Sequence, residues 1–112
     1  MQLEARKCLF DVAEASRKIQ DFTRGMTYER YSADGMVQAG VERKFEIIGE
    51  ALSRLKRLDP SLLEAVPAYQ RIIGFRNVIS HGYDVVDPEL VRDAIRTHLP
   101  ALQQAVENLL AE

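Results

Sequence analysis

Apolar residues recur along this chain at steps of four and three, and in no segment at steps of two. Met1, Ala5, Cys8, Val12, Ala15, Ile19 and Phe22 follow that spacing without a break. Side chains three or four apart share one stripe of an α-helix, whereas a half-buried strand requires strict alternation. The pattern predicts helices and no sheet. Gly25 follows the first stripe and can take the left-handed conformation that ends a helix. From Met26 to Ala33 the periodicity stops, which predicts a connecting loop pinned by Tyr28 and Tyr31.

Ser32 or Asp34 is a suitable cap for a second helix. Val41, Phe45, Ile48, Leu52 and Leu55 form its apolar centre line, widened by Ile47, Ala51 and Leu58. That stripe is broader than one helical neighbour needs, so the helix is expected to touch two partners. Asp59-Pro60 ends it and starts a short helical turn from Ser61 to Ala65. Pro67 suits the first position of a third long helix, with Ala68, Ile72, Phe75 and Ile79 facing inward, until Gly82 interrupts. Asp87-Pro88-Glu89 combines a side-chain cap, a first-turn proline and an acid against the helix dipole. The helix it starts carries Leu90, Val91, Ala94, Ile95, Leu102, Val106, Leu109 and Leu110, with Pro100 expected to kink or split it. The expected fold is all-α: a four-helix bundle with one extra short helical turn and a kinked last helix, forming a single domain over residues 1–112.

The remaining composition narrows the function. At 112 residues, 46% of them hydrophobic, the chain can build only a modest core. Together with the wide second stripe, this predicts a homodimer. A formal net charge of -2 argues against a protein that coats nucleic acid through a broad basic field, but not against a local basic cleft. Cys8 is the only cysteine, so an internal disulfide and a multi-thiolate metal site are both excluded. No apolar run is long enough to span a bilayer, and the first residues lack a signal-peptide pattern, so a soluble, cytoplasmic protein is expected.

The segment Arg76-Asn77-Val78-Ile79-Ser80-His81-Gly82-Tyr83 concentrates the residues with chemistry. On a helix Arg76 and Ser80, and likewise Asn77 and His81, stand on adjacent turns. Arg76 and His81 are about 140° apart around the axis and flank one edge. That polar arc is expected to lie opposite the Phe75–Ile79 side, with Tyr83 swinging back over it after Gly82. Cleaving RNA without a metal requires a group that moves protons and a cation for the charged phosphate. His81 suits the first role and Arg76 the second, with Asn77 and Ser80 orienting the phosphate or the imidazole. The competing reading is structural: Arg76 pairs with a carboxylate and His81 caps the helix dipole.

R-N-V-I-S-H-G-Y resembles the R-x-x-x-x-H-x-Y signature of HepT-like proteins of the HEPN superfamily. F-T-R-G at the end of the first helix, V-E-R-K-F-E-I-I-G-E-A on the second and I-I-G-F-R-N-V-I-S-H-G-Y-D-V-V-D extend the likeness from about Leu9 to the C-terminus. The resemblance implies a metal-independent endoribonuclease, the toxin of a toxin–antitoxin pair, needing no cofactor. It implies a homodimer whose two motifs line one cleft. Its partner would be a minimal nucleotidyltransferase antitoxin that silences it by transferring AMP to the motif tyrosine, here Tyr83. Some relatives bind nucleotides without established cleavage. Tyr69 stands where the family has a tryptophan, a change expected to affect packing more than chemistry.

Other charged residues are less decisive. Glu42, Glu46 and Glu50 share the polar face of the second helix, where like charges repel. Arg76 is a candidate partner for Glu46 or Glu50, and Arg43 and Arg54 could relieve the same face. Two carboxylates without further ligands make no case for a metal or a glycosidase. His98, just before Pro100, reads as a boundary residue rather than a second base. Arg54, Lys56 and Arg57 complement the end of the second helix or extend an RNA surface. Three readings remain: an RNA-cleaving toxin, a non-catalytic helical module that binds a nucleotide or a nucleotidyltransferase, or a plain dimerising bundle with no ligand; having both Arg76 and His81 favours the first.

Overall fold

The computed structural model describes residues 1–81 and 86–112, and of Ser80 and His81 the helical backbone alone. Four rods make the bundle. The first, α1 (Leu3–Thr23), buries Ala5, Cys8, Leu9, Val12, Ala15, Ser16 and Ile19. The predicted seam holds from Ala5 to Ile19 and frays at both ends, where Met1 and Phe22 are exposed. Ser16 is fully buried, and its hydroxyl is satisfied by donating to the Val12 carbonyl at 2.7 Å. Gly25 closes the helix with φ +72°, the left-handed conformation its position called for.

The segment expected as a loop contains a short helix, α2 (Tyr28–Ser32). Thr27 caps it by accepting from the Arg30 amide at 3.2 Å. Five residues are too few to show a helical period, so the cap was the only local signal. Tyr31 is buried as expected, at 4% exposure.

The long α3 (Gly35–Leu58) is capped by Asp34, whose carboxylate accepts from the Val37 amide at 3.0 Å. The Ser32 hydroxyl instead donates to the Tyr28 carbonyl. Val41, Phe45, Ile48, Leu52 and Leu55 are all fully buried, packed between α1 on one side and α4 on the other. The two neighbours the wide stripe required are both found within the chain. The stripe therefore gives no argument for a second copy.

A 3-10 turn (Pro60–Ala65) leads to α4 (Tyr69–His81). Pro67 is not the first residue of this helix as expected; it and Ala68 form a turn before it. Proline forces the preceding residue to be extended, and Val66 accordingly has φ -106° and ψ 106°. The chain then reverses through Ala68 at φ +58°, whose carbonyl accepts from the Arg71 amide at 3.0 Å. Phe75 packs edge-on against Phe45 of α3, ring centroids 5.0 Å apart at 84°. Such a pair contributes about 0.5–1.5 kcal/mol beyond the area it buries.

The last rod comprises α5 (Pro88–Asp93), a π-helical turn (Ala94–His98) and α6 (Leu99–Ala111). Asp87 caps it by accepting from the Glu89 amide at 2.9 Å. The irregularity expected at Pro100 takes the form of the π turn. Pro100 has no N–H to donate, and in a regular α-helix its ring would press on the carbonyl four residues back. One extra residue in the preceding turn, with the Leu99 amide donating to the Ala94 carbonyl, relieves this without breaking the rod. Leu99, Leu102 and Val106 are fully buried, and α6 packs on α1. No helix among the described residues is long and apolar enough to cross a membrane.

Candidate active-site helix

The motif helix is held on α3 at a single close crossing. A Cβ on Gly49 would come within 2.4 Å of the Arg76 Cβ and 2.6 Å of its Cγ. The bare α-carbon thus makes the bed on which the arginine stem lies, burying aliphatic carbons while the charged end reaches the surface. This corrects the polar arc drawn from sequence. Arg76 does not stand opposite the packed side; it sits at the α3–α4 seam beside buried Ile72 and Ile79. At about 100° per residue, Arg76 is only about 40° from Ile72, so the arc begins where the core ends.

The guanidinium is placed without being locked. One Nη donates to the Asn77 side-chain oxygen at 3.3 Å, and the other lies 3.8 Å from a carboxylate oxygen of Glu50. Charge-assisted hydrogen bonds run at about 2.7–2.9 Å, so the Glu50 contact is a loose ion pair and not a bidentate clamp. Glu50 is half-exposed and shared, since Arg43 approaches the same oxygen at 3.9 Å. The Arg76 Nε is buried with no partner among the described residues. Of the two carboxylates offered for Arg76, the structure brings Glu50 to it. Glu46 instead acts on its neighbour Glu42, whose carboxyl is held above the ordinary range by burial first and by Glu46 second.

Asn77 is exposed beside Arg76, and Val78 is exposed as well. The backbone of α4 continues through Ser80 and His81, so Arg76 and His81 stand on one helix about 7.5 Å apart along its axis. The side chains of Ser80 and His81, and all of Gly82 and Tyr83, lie outside the described residues. His98 ends the π turn and, with Arg71, Phe75 and Leu90, lines a cleft of about 150 Å³ between α4 and the last rod. Among the described residues, no group of three or more His, Cys, Asp or Glu gathers as a metal site. Cys8 is buried, which pushes its thiol pKa up and makes it a core residue. Two features escaped sequence reasoning. Gly49 looked like any mid-helix glycine. Arg92 and Arg96, which line a cavity at the far corner of the bundle, carried only their four-residue spacing as a signal.

The family model described as "Ribonuclease HepT-like" matches residues 12–109. The chain is 30% identical to a Thermococcus cleftensis protein named "Probable ribonuclease HepT", over 97% of this chain and 98% of that one. A Methanocaldococcus jannaschii protein named as a candidate RNase is 26% identical, over 93% and 94% of the two chains. A Caldanaerobacter subterraneus protein, also named as a candidate RNase, is 28% identical over 78% and 77%. No solved structure matches the chain.

Proposed function

The chain belongs to the ribonuclease HepT-like family, and from that membership we propose that it is a metal-independent endoribonuclease toxin. The observation that carries the reading is the state of Arg76. Its stem is fixed on Gly49, yet among the described residues its guanidinium meets only long contacts to Asn77 and Glu50, which leaves donors for an oxyanion. A purely structural arginine at such a seam would be expected to close a short bidentate pair. His81 stands one and a half turns further along the same helix.

In the proposed reaction the ribose 2'-oxygen attacks the adjacent phosphorus and the bond to the 5'-oxygen breaks. His81 moves the proton from the 2'-hydroxyl or onto the leaving oxygen, a role an imidazole fills near neutral pH. Arg76 balances the charge that builds on the non-bridging oxygens. Asn77, Ser80 and Glu50 are positioning residues for this pair. The products would be a 2',3'-cyclic phosphate and a free 5'-hydroxyl. Residues 1–112 are taken as one domain working as a cytoplasmic homodimer, with two copies of the motif facing one cleft. Exposed Val78, within the motif, and exposed Leu90, which shares a cleft with Phe75, are apolar surface of the kind a partner copy would cover.

Silencing is assigned to a minimal nucleotidyltransferase antitoxin. The Tyr83 phenol oxygen would bond to the α-phosphorus of ATP, with pyrophosphate leaving, which adds a negative phosphate to the motif that must receive RNA. A non-catalytic nucleotide- or partner-binding module is the second reading, favoured by the net charge of -2. Expressing the chain alone and as His81→Ala separates the two. The ribonuclease reading expects growth arrest and RNA fragmentation that the substitution abolishes and a chelator does not. Intact RNA with the parent chain would overturn the ribonuclease reading. Co-expression with the nucleotidyltransferase should add the mass of AMP to the parent but not to Tyr83→Phe.

A further inference from the structure

A cavity of about 250 Å³ opens where the end of α1, the short α2 and the last rod meet. Arg92 and Arg96 line it, one turn apart, together with the hydroxyl residues Thr23, Thr27 and Tyr31. Among the described residues no carboxylate lines it and neither arginine forms an ion pair. Two like charges at this spacing repel and weaken a helix, a cost that an anion between them removes.

The corner is partly organised in advance. The Arg92 guanidinium lies over the Tyr28 ring, 5.9 Å from its centroid. Stacking occupies the flat face of a guanidinium and leaves the edge N–H groups free to fork a phosphate. Arg96 belongs to the π turn that Pro100 imposes. Thr27 already accepts from the Arg30 amide, so its own O–H remains free to donate. Tyr31 is almost fully buried in the cavity wall, and its hydroxyl has no hydrogen-bond partner among the described residues, although burial and then the Glu42 carboxylate of α3 act on it and favour its neutral, donating form. On their other side the same arginines border a shallower cleft with Glu89 and Asp93, which tempers the positive field. The chemistry fits a single phosphate held with modest affinity.

We propose that this corner is a phosphate subsite that holds one phosphodiester of the bound RNA strand, apart from the Arg76–His81 motif. The inference rests on the ribonuclease reading above. Energy gained there would act on binding and not on the chemical step.

The test measures binding of a labelled single-stranded RNA across a salt series, in a His81→Ala background so that the strand stays intact. Each phosphate contact on single-stranded nucleic acid contributes about 0.7 to the slope of log K against log salt. Arg92→Gln/Arg96→Gln should therefore flatten the slope by about that amount and weaken binding several-fold at low salt. The exposed Arg96→Gln alone should do so in part, with unchanged helicity. With the motif intact, the double variant should raise KM and leave kcat in place. Parent protein that binds RNA, with an unchanged slope in the double variant, overturns the subsite and leaves the ribonuclease reading standing. Failure of the parent to bind or cleave any RNA overturns both. AMP shifting the Thr27 amide resonance while the RNA slope stays fixed would assign the corner to a free nucleotide and also defeat the proposal.

Discussion

Arg76 and Gly49 occupy one piece of space: the Cβ that any other residue would carry at 49 falls 2.4 Å from the arginine's own Cβ. Both close atoms, Cβ and Cγ, lie at the root of the side chain, where no change of its tip relieves them. A glycine inside a helix costs about 0.5–1 kcal/mol relative to alanine. Overpacking a tight contact costs about 1–3 kcal/mol. The second effect is the larger, so the helix is better with the weaker helix former.

Gly49→Ala should accordingly destabilise the protein by about 1–2 kcal/mol, despite the better helix propensity of alanine. It should also reduce RNA cleavage at temperatures where parent and variant are both folded, because α4 must shift and carry the guanidinium with it. Denaturant midpoints and initial rates on the same samples provide the check. A variant as stable and active as the parent would show that the crossing is looser than the structure places it.

Arg76→Ala should lose about 10²–10³ in cleavage rate, the scale for removing one donor to a developing oxyanion. Arg76→Lys keeps the charge and the stem on Gly49 but lacks the planar fork, so it should recover only part of that loss. Glu50→Gln should change stability by less than about 1 kcal/mol, since half-exposed pairs contribute little. Single-turnover rates and thermal melts of the three variants test these statements together.

Ala68 holds a left-handed conformation that costs a residue with a Cβ about 1–2 kcal/mol. Ala68→Gly would remove that strain while giving the unfolded chain about 0.4–1 kcal/mol more entropy to lose. The net effect should be a gain of about 0.5–1 kcal/mol. A lower midpoint in chemical denaturation would contradict it.

Glu42 makes stability depend on pH. Burial, and then the Glu46 carboxylate, hold its pKa above the ordinary value. The unfolded chain releases this proton at lower pH than the folded protein does. The folded state is therefore weakened as pH rises through the carboxylate range. Glu42→Gln should melt higher than the parent at pH 7, and the difference should vanish near pH 3, where Glu42 is protonated in both states. An equal gain at both pH values would place its origin outside this ionisation.

Much of the bundle follows from the sequence alone, because helix periodicity and capping act over a few residues. The α1 seam from Ala5 to Ile19, the Asp34 and Asp87 caps and the irregularity before Pro100 are all local chemistry. So is the register that places Arg76 and His81 on one helix, and the candidate motif was legible for that reason. Other features depend on which surfaces meet. The start of α4 moved from Pro67 to Tyr69 because the chain had to reverse through Ala68 to lay the helix on α3. Arg76 belongs to a seam and not to an outer edge because Gly49, 27 positions earlier in the sequence, leaves room for its stem. Arg92 and Arg96 became the wall of a cavity only when α2, too short to show any period, folded against their rod. Contacts between distant segments leave no local pattern, so their consequences appear only once the helices are packed.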